Sequence, residues 1–472
     1  MRQTLLAAAG MALLLAFVYQ PTLAIPGQLL TSGDGARFFF PAFLWQRAHL
    51  PALPVWTTAL GGGYPLVAES QMAACYPGQW PFLLLPDPVS AYNLYQLAHL
   101  LLAFLAARWL LQTLGSAPLP AAVGALAYAL GGRLTGLLDH PNQPVVSAWL
   151  PLLYACTVHG LIRPRCRAAG ALVLGLMLLA GHSQVVLIAL LGLIPVAFAY
   201  APRATRCRTA LTTLAAVGLP GFALAGVQLV PFAELFLQSV RAGGFSFASA
   251  DFTNISLWNL LLLAAPFACG DNGACWLAGR YLSELQLYCG MLPLLAALVT
   301  LTDRTARHTP AVRFWWGFNF VFLLLAMGGR TPLGPLLHRL PLFSSLLIPA
   351  RYALLCQLAY AVLAATGFSV LRDRPRAAVG AGLLLATLLA AVMLPAALAP
   401  ATLARAMQPD TLLTAAELAV ALSGLIAELR TAAAWLGVAL AALWFAAGAR
   451  RRGQPRFAAA IILLALACDL TA

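Results

Sequence analysis

The chain contains no lysine, so all 28 of its basic residues are arginines. Charge of either sign is scarce: charged residues make up 9% and hydrophobic residues 62%, against roughly 25% charged in a soluble domain. A water-soluble chain of 472 residues could not hide that much apolar surface in one core, which excludes a soluble globular protein. The missing lysine follows from no charge rule and reads as the mark of a GC-rich genome. There is no CxxC pair, and none of the nine cysteines joins a His/Cys cluster with zinc spacing, which excludes a zinc module. Internal repeats, heptads and low-complexity tracts are absent as well. The net charge of +14 is carried by short arginine clusters between apolar runs. Such clusters orient membrane segments instead of tracking phosphates, so no nucleic-acid partner is expected.

What the chain does have is a series of apolar runs of about 20 residues, each long enough to cross a bilayer. The expected spans are 4–24, 91–112, 119–137, 144–162, 168–181, 184–201, 209–231, 287–302, 314–328, 351–371, 377–398, 431–449 and 457–471. This is an all-α polytopic bundle of about 13 transmembrane helices in a single membrane domain covering the whole chain. The first run, Thr4 to Ala24, shares its pattern with a cleaved signal peptide. Its length, and the lack of a small-residue cleavage site before Pro26, favour a retained helix.

Five arginine clusters set the orientation. They are Arg163/165/167, Arg203/206/208, Arg304/307/313, Arg372/374/376 and Arg450/451/452/456. An even number of crossings fits between each consecutive pair, so all five are expected on the cytoplasmic side, with the N-terminus inside and the C-terminus outside. Of the 14 acidic residues only Asp303 and Asp373 fall in these clusters, and the rest gather on the opposite side. Carboxylates near membrane depth are costly and tend to be functional or paired.

Three outer segments are long. The first, 25–90, is Pro/Gly-rich and aromatic. The second, 232–286, carries Arg241, Asp251, Asp271, Arg280 and Glu284; within it Cys269 and Cys275 could close a small disulfide in an oxidising compartment. In the third, 400–430, Thr414, Glu417, Ala421, Gly424 and Glu428 recur at 3–4 spacing, as in an amphipathic helix lying on the outer membrane surface.

The first loop holds the densest chemistry. It reads Ser32-Gly33-Asp34-Gly35, then Trp56, Gly62-Gly63-Tyr64-Pro65-Leu66-Val67-Ala68-Glu69-Ser70-Gln71 and Tyr76-Pro77. Asp34 alone could be a turn residue capping the next short helix. So many aromatics in an exposed loop would gain nothing, however, so the loop is expected to pack on the membrane domain and form a cavity beside an acid. Asp139-His140 and His182 with Gln184 lie at outer helix ends; they could cap those ends or line the same cavity. Asp34-Gly35-Ala36 lacks a second acid two residues on, and no metal is expected.

Together these stretches resemble the bacterial YfhO-like membrane proteins, of the polytopic GT-C class of glycosyltransferases using lipid-linked sugars. The resemblance rests on Asp34 after the first helix, the GG-x-P-x-x-A-x-x-Q stretch and Tyr76-Pro77. It continues through Trp149-Leu150-Pro151 opening a helix, Gly181-His182-Ser183-Gln184, Pro231-Phe232-Ala233-Glu234 leading to Ser239-Val240-Arg241, and Pro349-Ala350-Arg351. It spans about residues 1–371, and it lies in the order of the motifs, none of which is specific alone. The resemblance implies a GT-C-like fold with partly helical outer loops, in a bacterial cytoplasmic membrane, with its active site facing the periplasm or exterior. It also implies a polyprenyl-phosphate-linked sugar donor, no cofactor, and a glycan, lipid or protein acceptor amid membrane lipids. YfhO-like chains commonly continue into an extracytoplasmic C-terminal part, whereas this sequence ends at Asp469-Leu470-Thr471-Ala472. If that part binds the acceptor, the acceptor stays open or another chain supplies it.

Transfer from a lipid phosphate needs a base for the acceptor hydroxyl and cations for the phosphate as charge develops on it. Asp34 is the candidate base. Arg241 and Arg351 lie outside the orienting clusters and are candidates for the phosphate, or for loop-anchoring pairs with carboxylates. Glu69 and Gln71 are candidates for sugar hydroxyls, with Tyr76, Asp139, His140, His182 and Gln184 grouped with them as substrate-binding residues. A transporter or flippase of lipid-linked glycans is the alternative from another class, and a non-catalytic assembly subunit a third. Transporters place charge near the midplane on broken, repeated halves, a pattern missing here. Reporter fusions after residues 166, 206, 305, 375 and 453 should all report a cytoplasmic location, and a single fusion found outside breaks the proposed topology.

Overall fold

The computed structural model describes residues 2–52, 55–58, 62–270, 282–340, 342–407 and 413–471. Among them there are helices and loops but no strand, only an isolated antiparallel bridge between Thr57 and Tyr64. The chain is all-α, and the reason is solvation. In hydrocarbon no water satisfies the backbone, so each spanning segment must close its own hydrogen bonds. Every one of the thirteen expected segments contains a helix. Seven helices are long and apolar enough to cross a bilayer, and five more are apolar but shorter.

The helices fall into two compact units: Met1–Leu114 with Leu137–Gly244, and Gly115–Gly136 with Phe245–Ala472. In the first unit the Pro88–Thr113 helix packs on Asn142–Ile162, and Cys166–Leu179 packs on Arg206–Leu224. Small residues let the second pair come close: a Cβ on Gly170 would meet Val217 at 3.0 Å, and one on Gly221 would meet Leu174 at 2.8 Å. The aromatic loop packs onto the same unit, as expected. Phe39 and Phe43 are buried with Leu83, Ala91 and Tyr92, and Phe38 and Phe40 close over them.

In the second unit the Met291–Thr302 helix lies against Ala353–Asp373. The contact is close enough that a Cβ on Gly367 would stand 1.7 Å from the Ala296 carbonyl oxygen. Asp469, near the end of the Pro455–Thr471 helix, accepts hydrogen bonds from the Tyr288 hydroxyl and the Met291 amide, tying that helix to the start of Met291–Thr302.

Several boundaries depart from the sequence reading. The 119–137 segment is helical only over Pro118–Ala129 and Gly132–Thr135. At Gly131 any side chain would strike the Ala127 carbonyl and Gln357. The 209–231 segment breaks at Ala225 and restarts as Gly226–Leu237, so Pro231 lies inside a helix and the second outer segment begins later than 232. Trp149-Leu150-Pro151 does not open a helix; Pro151 sits within Asn142–Ile162. The amphipathic segment expected over 400–430 is not a separate surface helix. After Pro400–Met407, a single helix runs from Ala415 to Arg451, burying Leu418, Leu422, Leu425 and Leu429 along one stripe. Neither Gly nor Pro occurs over 425–436, so nothing stops the helix there. Thr414 and Glu417 form a reciprocal capping box at its start. Cys269 is disulfide-bonded; its expected partner Cys275 lies outside the described residues, as do Asp271, Arg280 and Asp410.

Gly367→Ala should overpack the Met291–Thr302 contact and cost about 1–3 kcal/mol. A thermal melt of the purified protein should show a lowered midpoint, and an unchanged midpoint would refute this packing.

Candidate active site

The site is built on the chain leaving the first helix. Asn93 of Pro88–Thr113 holds that chain from both sides: its Oδ1 accepts from the Leu30 amide at 2.9 Å and its Nδ2 donates to the Gln28 carbonyl at 2.9 Å. Gly33 then turns with φ +46°, and Gly35 passes so near Thr31 and the Asp139 backbone that no Cβ fits. Asp34 is thereby set down beside residue 139. It precedes the wide helical turn Gly35–Phe39, yet its side chain makes no capping hydrogen bond. Its carboxylate lies 3.2 Å from His140 Nε2 instead, and His140 Nδ1 lies 3.0 Å from Asp139 Oδ1. The Asp34 side chain is 65% exposed, against 26% for His140 and 29% for Asp139.

The three side chains form a carboxylate–imidazole–carboxylate row. An ionised carboxylate only accepts hydrogen bonds, and a neutral imidazole has one donor nitrogen and one lone pair. The Asp34 carboxylate stands within reach of Nε2, whereas Nδ1 and Asp139 Oδ1 are close without meeting in a hydrogen bond. The most exposed member of the row is Asp34.

The other outer carboxylates show why this one stands apart. Asp87 caps Pro88–Thr113 through the Ser90 amide at 2.7 Å, and hydrogen bonds from the Ser90 side chain and then its amide hold its carboxyl below the usual range. Glu69 caps the turn Ser70–Met72 and accepts from the Tyr64 hydroxyl at 2.9 Å. Burial, reinforced by Glu69, pushes the Tyr64 hydroxyl up, so it stays protonated and donating. Asp251 accepts from the Gly329 amide at 3.0 Å and from Asn254 at 3.0 Å, with burial raising its carboxyl. These are structural duties.

The remaining predicted residues separate in the same way. Gln71 accepts from Asn142 Nδ2 at 3.1 Å, two residues along from His140, and both line a small cavity of about 20 Å³ with Gln46 and Gln79. That is room for about one water. Asn142, Gln46 and Asn93 were not picked out from sequence, although an amide within an apolar run was a readable signal. Tyr76 is fully buried, and its hydroxyl accepts from Trp149 Nε1 at 2.7 Å and meets His99 Nε2 at 2.8 Å. With Nδ1 of His99 on the Tyr95 carbonyl at 2.7 Å, the tautomer is set and Tyr76 donates to Nε2. Its hydroxyl is thus committed inside the protein, which corrects its expected place among substrate contacts. His182 caps Ser183–Tyr200 by accepting from the Val185 amide at 3.3 Å, and Gln184 is buried in that helix's first turn. The turn before it depends on Gly181, at φ +102°, where a Cβ would sit 2.2 Å from the Ser70 carbonyl. Arg241 lies exposed in the turn after Gly226–Leu237.

Arg351 belongs to the second unit. Its Nε and one terminal nitrogen donate to Glu284 Oε1 at 2.9 and 2.7 Å, while Arg133 donates to Glu284 Oε2 at 2.9 Å and to the Glu284 carbonyl. Glu284 is thus a buried anion held between two guanidiniums. Among the described residues no three His, Cys, Asp or Glu side chains converge as metal ligands.

The helical architecture is of the GT-C-like class of membrane folds. The chain is similar to ArnT from Cupriavidus metallidurans, solved bound to undecaprenyl phosphate, with a TM-score of 0.53 at 16% identity over 99% of this chain and 75% of that one. The apo form of the same protein gives 0.49 at 17%, over 98% and 76%. The arabinofuranosyltransferase AftD from Mycobacteria gives 0.45 at 18%, over 76% of this chain and 25% of that one. At such identities the likeness concerns the fold. No family model and no curated protein matches the sequence.

Glu284→Gln removes the carboxylate that both Arg133 and Arg351 bind and should destabilise the protein by about 3–5 kcal/mol. A loss of folded yield or a large drop in melting midpoint is the expected readout; a stability equal to wild type would show that the cluster is not held by charge.

Proposed function

We propose that this protein is a GT-C-type glycosyltransferase, YfhO-like in its motifs, that moves a sugar from a polyprenyl-phosphate-linked donor to a glycan, lipid or protein acceptor. The reaction is placed at the outer face of a bacterial cytoplasmic membrane. The observation that carries the reading is Asp34: an exposed carboxylate on the first outer loop, released from capping and backed by His140 and Asp139. The likeness in fold to a protein solved with undecaprenyl phosphate supports a polyprenyl phosphate as the lipid.

In this reading the acceptor oxygen attacks the anomeric carbon as the bond from that carbon to the phosphate oxygen breaks, and the lipid phosphate leaves with the electron pair. Asp34 takes the proton from the acceptor hydroxyl. His140 receives part of the gained positive charge, and Asp139 stabilises the resulting imidazolium on its far side. Arg241 remains a candidate for the phosphate. Arg351 also stays a candidate for the phosphate, with its guanidinium held in place by Glu284. Gln71 stays a candidate for a sugar hydroxyl. Glu69, His182 and Gln184 would act by shaping the loop that carries Gln71.

Full-length protein in nanodiscs, given a labelled polyprenyl-phospho-sugar and candidate acceptors, should transfer the label. Asp34→Asn should slow transfer about 10²–10⁴-fold, the range for a lost general base, and Asp139→Asn should slow it less. Equal rates for wild type and Asp34→Asn would remove Asp34 as the base, and labelled lipid crossing vesicles unmodified would replace the enzyme with a transporter.

A further inference from the structure

At the arginine-rich end of the second unit the helices leave an apolar cleft of about 370 Å³. That size lies within the range of about 300–1,000 Å³ typical of ligand sites. Phe368, Leu371, Leu443 and Ile462 line its wall, and Arg372 and Arg450 stand at its rim. Both arginines are exposed. Arg450 spends one N–H on the Arg372 backbone carbonyl, which ties its side chain to the end of the Ala353–Asp373 helix, while Arg372 Nε reaches Asp373 at 3.0 Å. The acids at this end are few and already engaged: Asp373 on Arg372, and Asp303 on Arg374 at 3.0 Å. Arg376, Arg451, Arg452 and Arg456 are exposed beside them, so the rim is strongly positive.

An apolar slot under a pair of guanidiniums at the ends of membrane helices matches one kind of ligand: a phosphate joined to an acyl chain. Basic pockets between membrane helices favour anionic head groups, and the aliphatic stems of arginine cover apolar surface while the fork reaches the phosphate. We propose that this cleft binds an anionic glycerophospholipid of the surrounding leaflet, with its phosphate on Arg372 and Arg450 and an acyl chain against Phe368, Leu371, Leu443 and Ile462. The site is separate from the Asp34 row and does not rest on the glycosyltransferase reading.

Native mass spectrometry of the full chain, equilibrated with phosphatidylglycerol or phosphatidylcholine, tests this. Wild type should retain phosphatidylglycerol about thirtyfold more strongly, as expected for two arginines each worth about 1 kcal/mol toward an anionic lipid. The double variant R372Q/R450Q should lose that preference. R203Q/R206Q, which removes equal charge from another cluster, should keep it. Ala459→Trp, which fills the slot with both rim charges intact, should also lose the lipid, and circular dichroism confirms that each variant is folded. Equal retention of the two lipids by wild type, an equal loss in R203Q/R206Q, or displacement of the lipid by millimolar inorganic phosphate would overturn the proposal.

Discussion

A peptide group in hydrocarbon has nothing to bond to except the chain itself, and this constraint orders the rest of the molecule. It makes every spanning segment a helix and confines irregular backbone to the helix ends. It also leaves packing to small residues, because lipid offers no hydrophobic drive for helix association. Gly170, Gly221 and Gly367 mark where helices approach within the reach of a missing methyl group. Irregular structure is permitted where it can pack or meet water, and the aromatic first loop does both, burying Phe39 and Phe43 while leaving Asp34 exposed.

The candidate site depends on how few polar groups are left uncommitted after folding. Other acids cap helices, anchor loops or neutralise guanidiniums, as Asp87, Glu69, Asp251, Glu284 and Asp469 do. Asp34 has the position of a cap without the function of one. Its approach to His140, and through His140 to Asp139, sets a turn residue at one end of a carboxylate–imidazole–carboxylate row. Asn93, Gly33 and Gly35 hold the backbone so that this meeting occurs.

Arginine serves three physical purposes here. Clustered and exposed, it orients segments by the charge rule for membrane loops. Around buried Glu284, Arg133 and Arg351 bind a carboxylate through directed hydrogen bonds. At the cleft between the Ala353–Asp373 and Ala415–Arg451 helices, Arg372 and Arg450 combine charge with an apolar wall. Residue type is the same in all three settings, and only the surroundings distinguish them.

Sequence alone determined the all-helical class and nearly all the helix centres. Those features follow from the periodicity and length of apolar runs and from the high cost of charge in lipid, which are properties of local composition. Boundaries such as the break at Ala225 and the continuous helix over Ala415–Arg451 were less legible, because they depend on what each turn packs against. Tertiary structure decided the duty of each polar side chain. His182 and Tyr76 read from sequence as cavity residues, yet a helix amide and the Trp149–His99 pair take up their hydrogen-bonding atoms. Arg351 read as a phosphate ligand and is forked onto Glu284, 67 positions away. Asp34 and His140 are 106 positions apart, and no spacing rule joins them. A carboxylate becomes a cap, a counterion or a base according to the donors brought within about 3 Å of it, and only the folded chain brings them there.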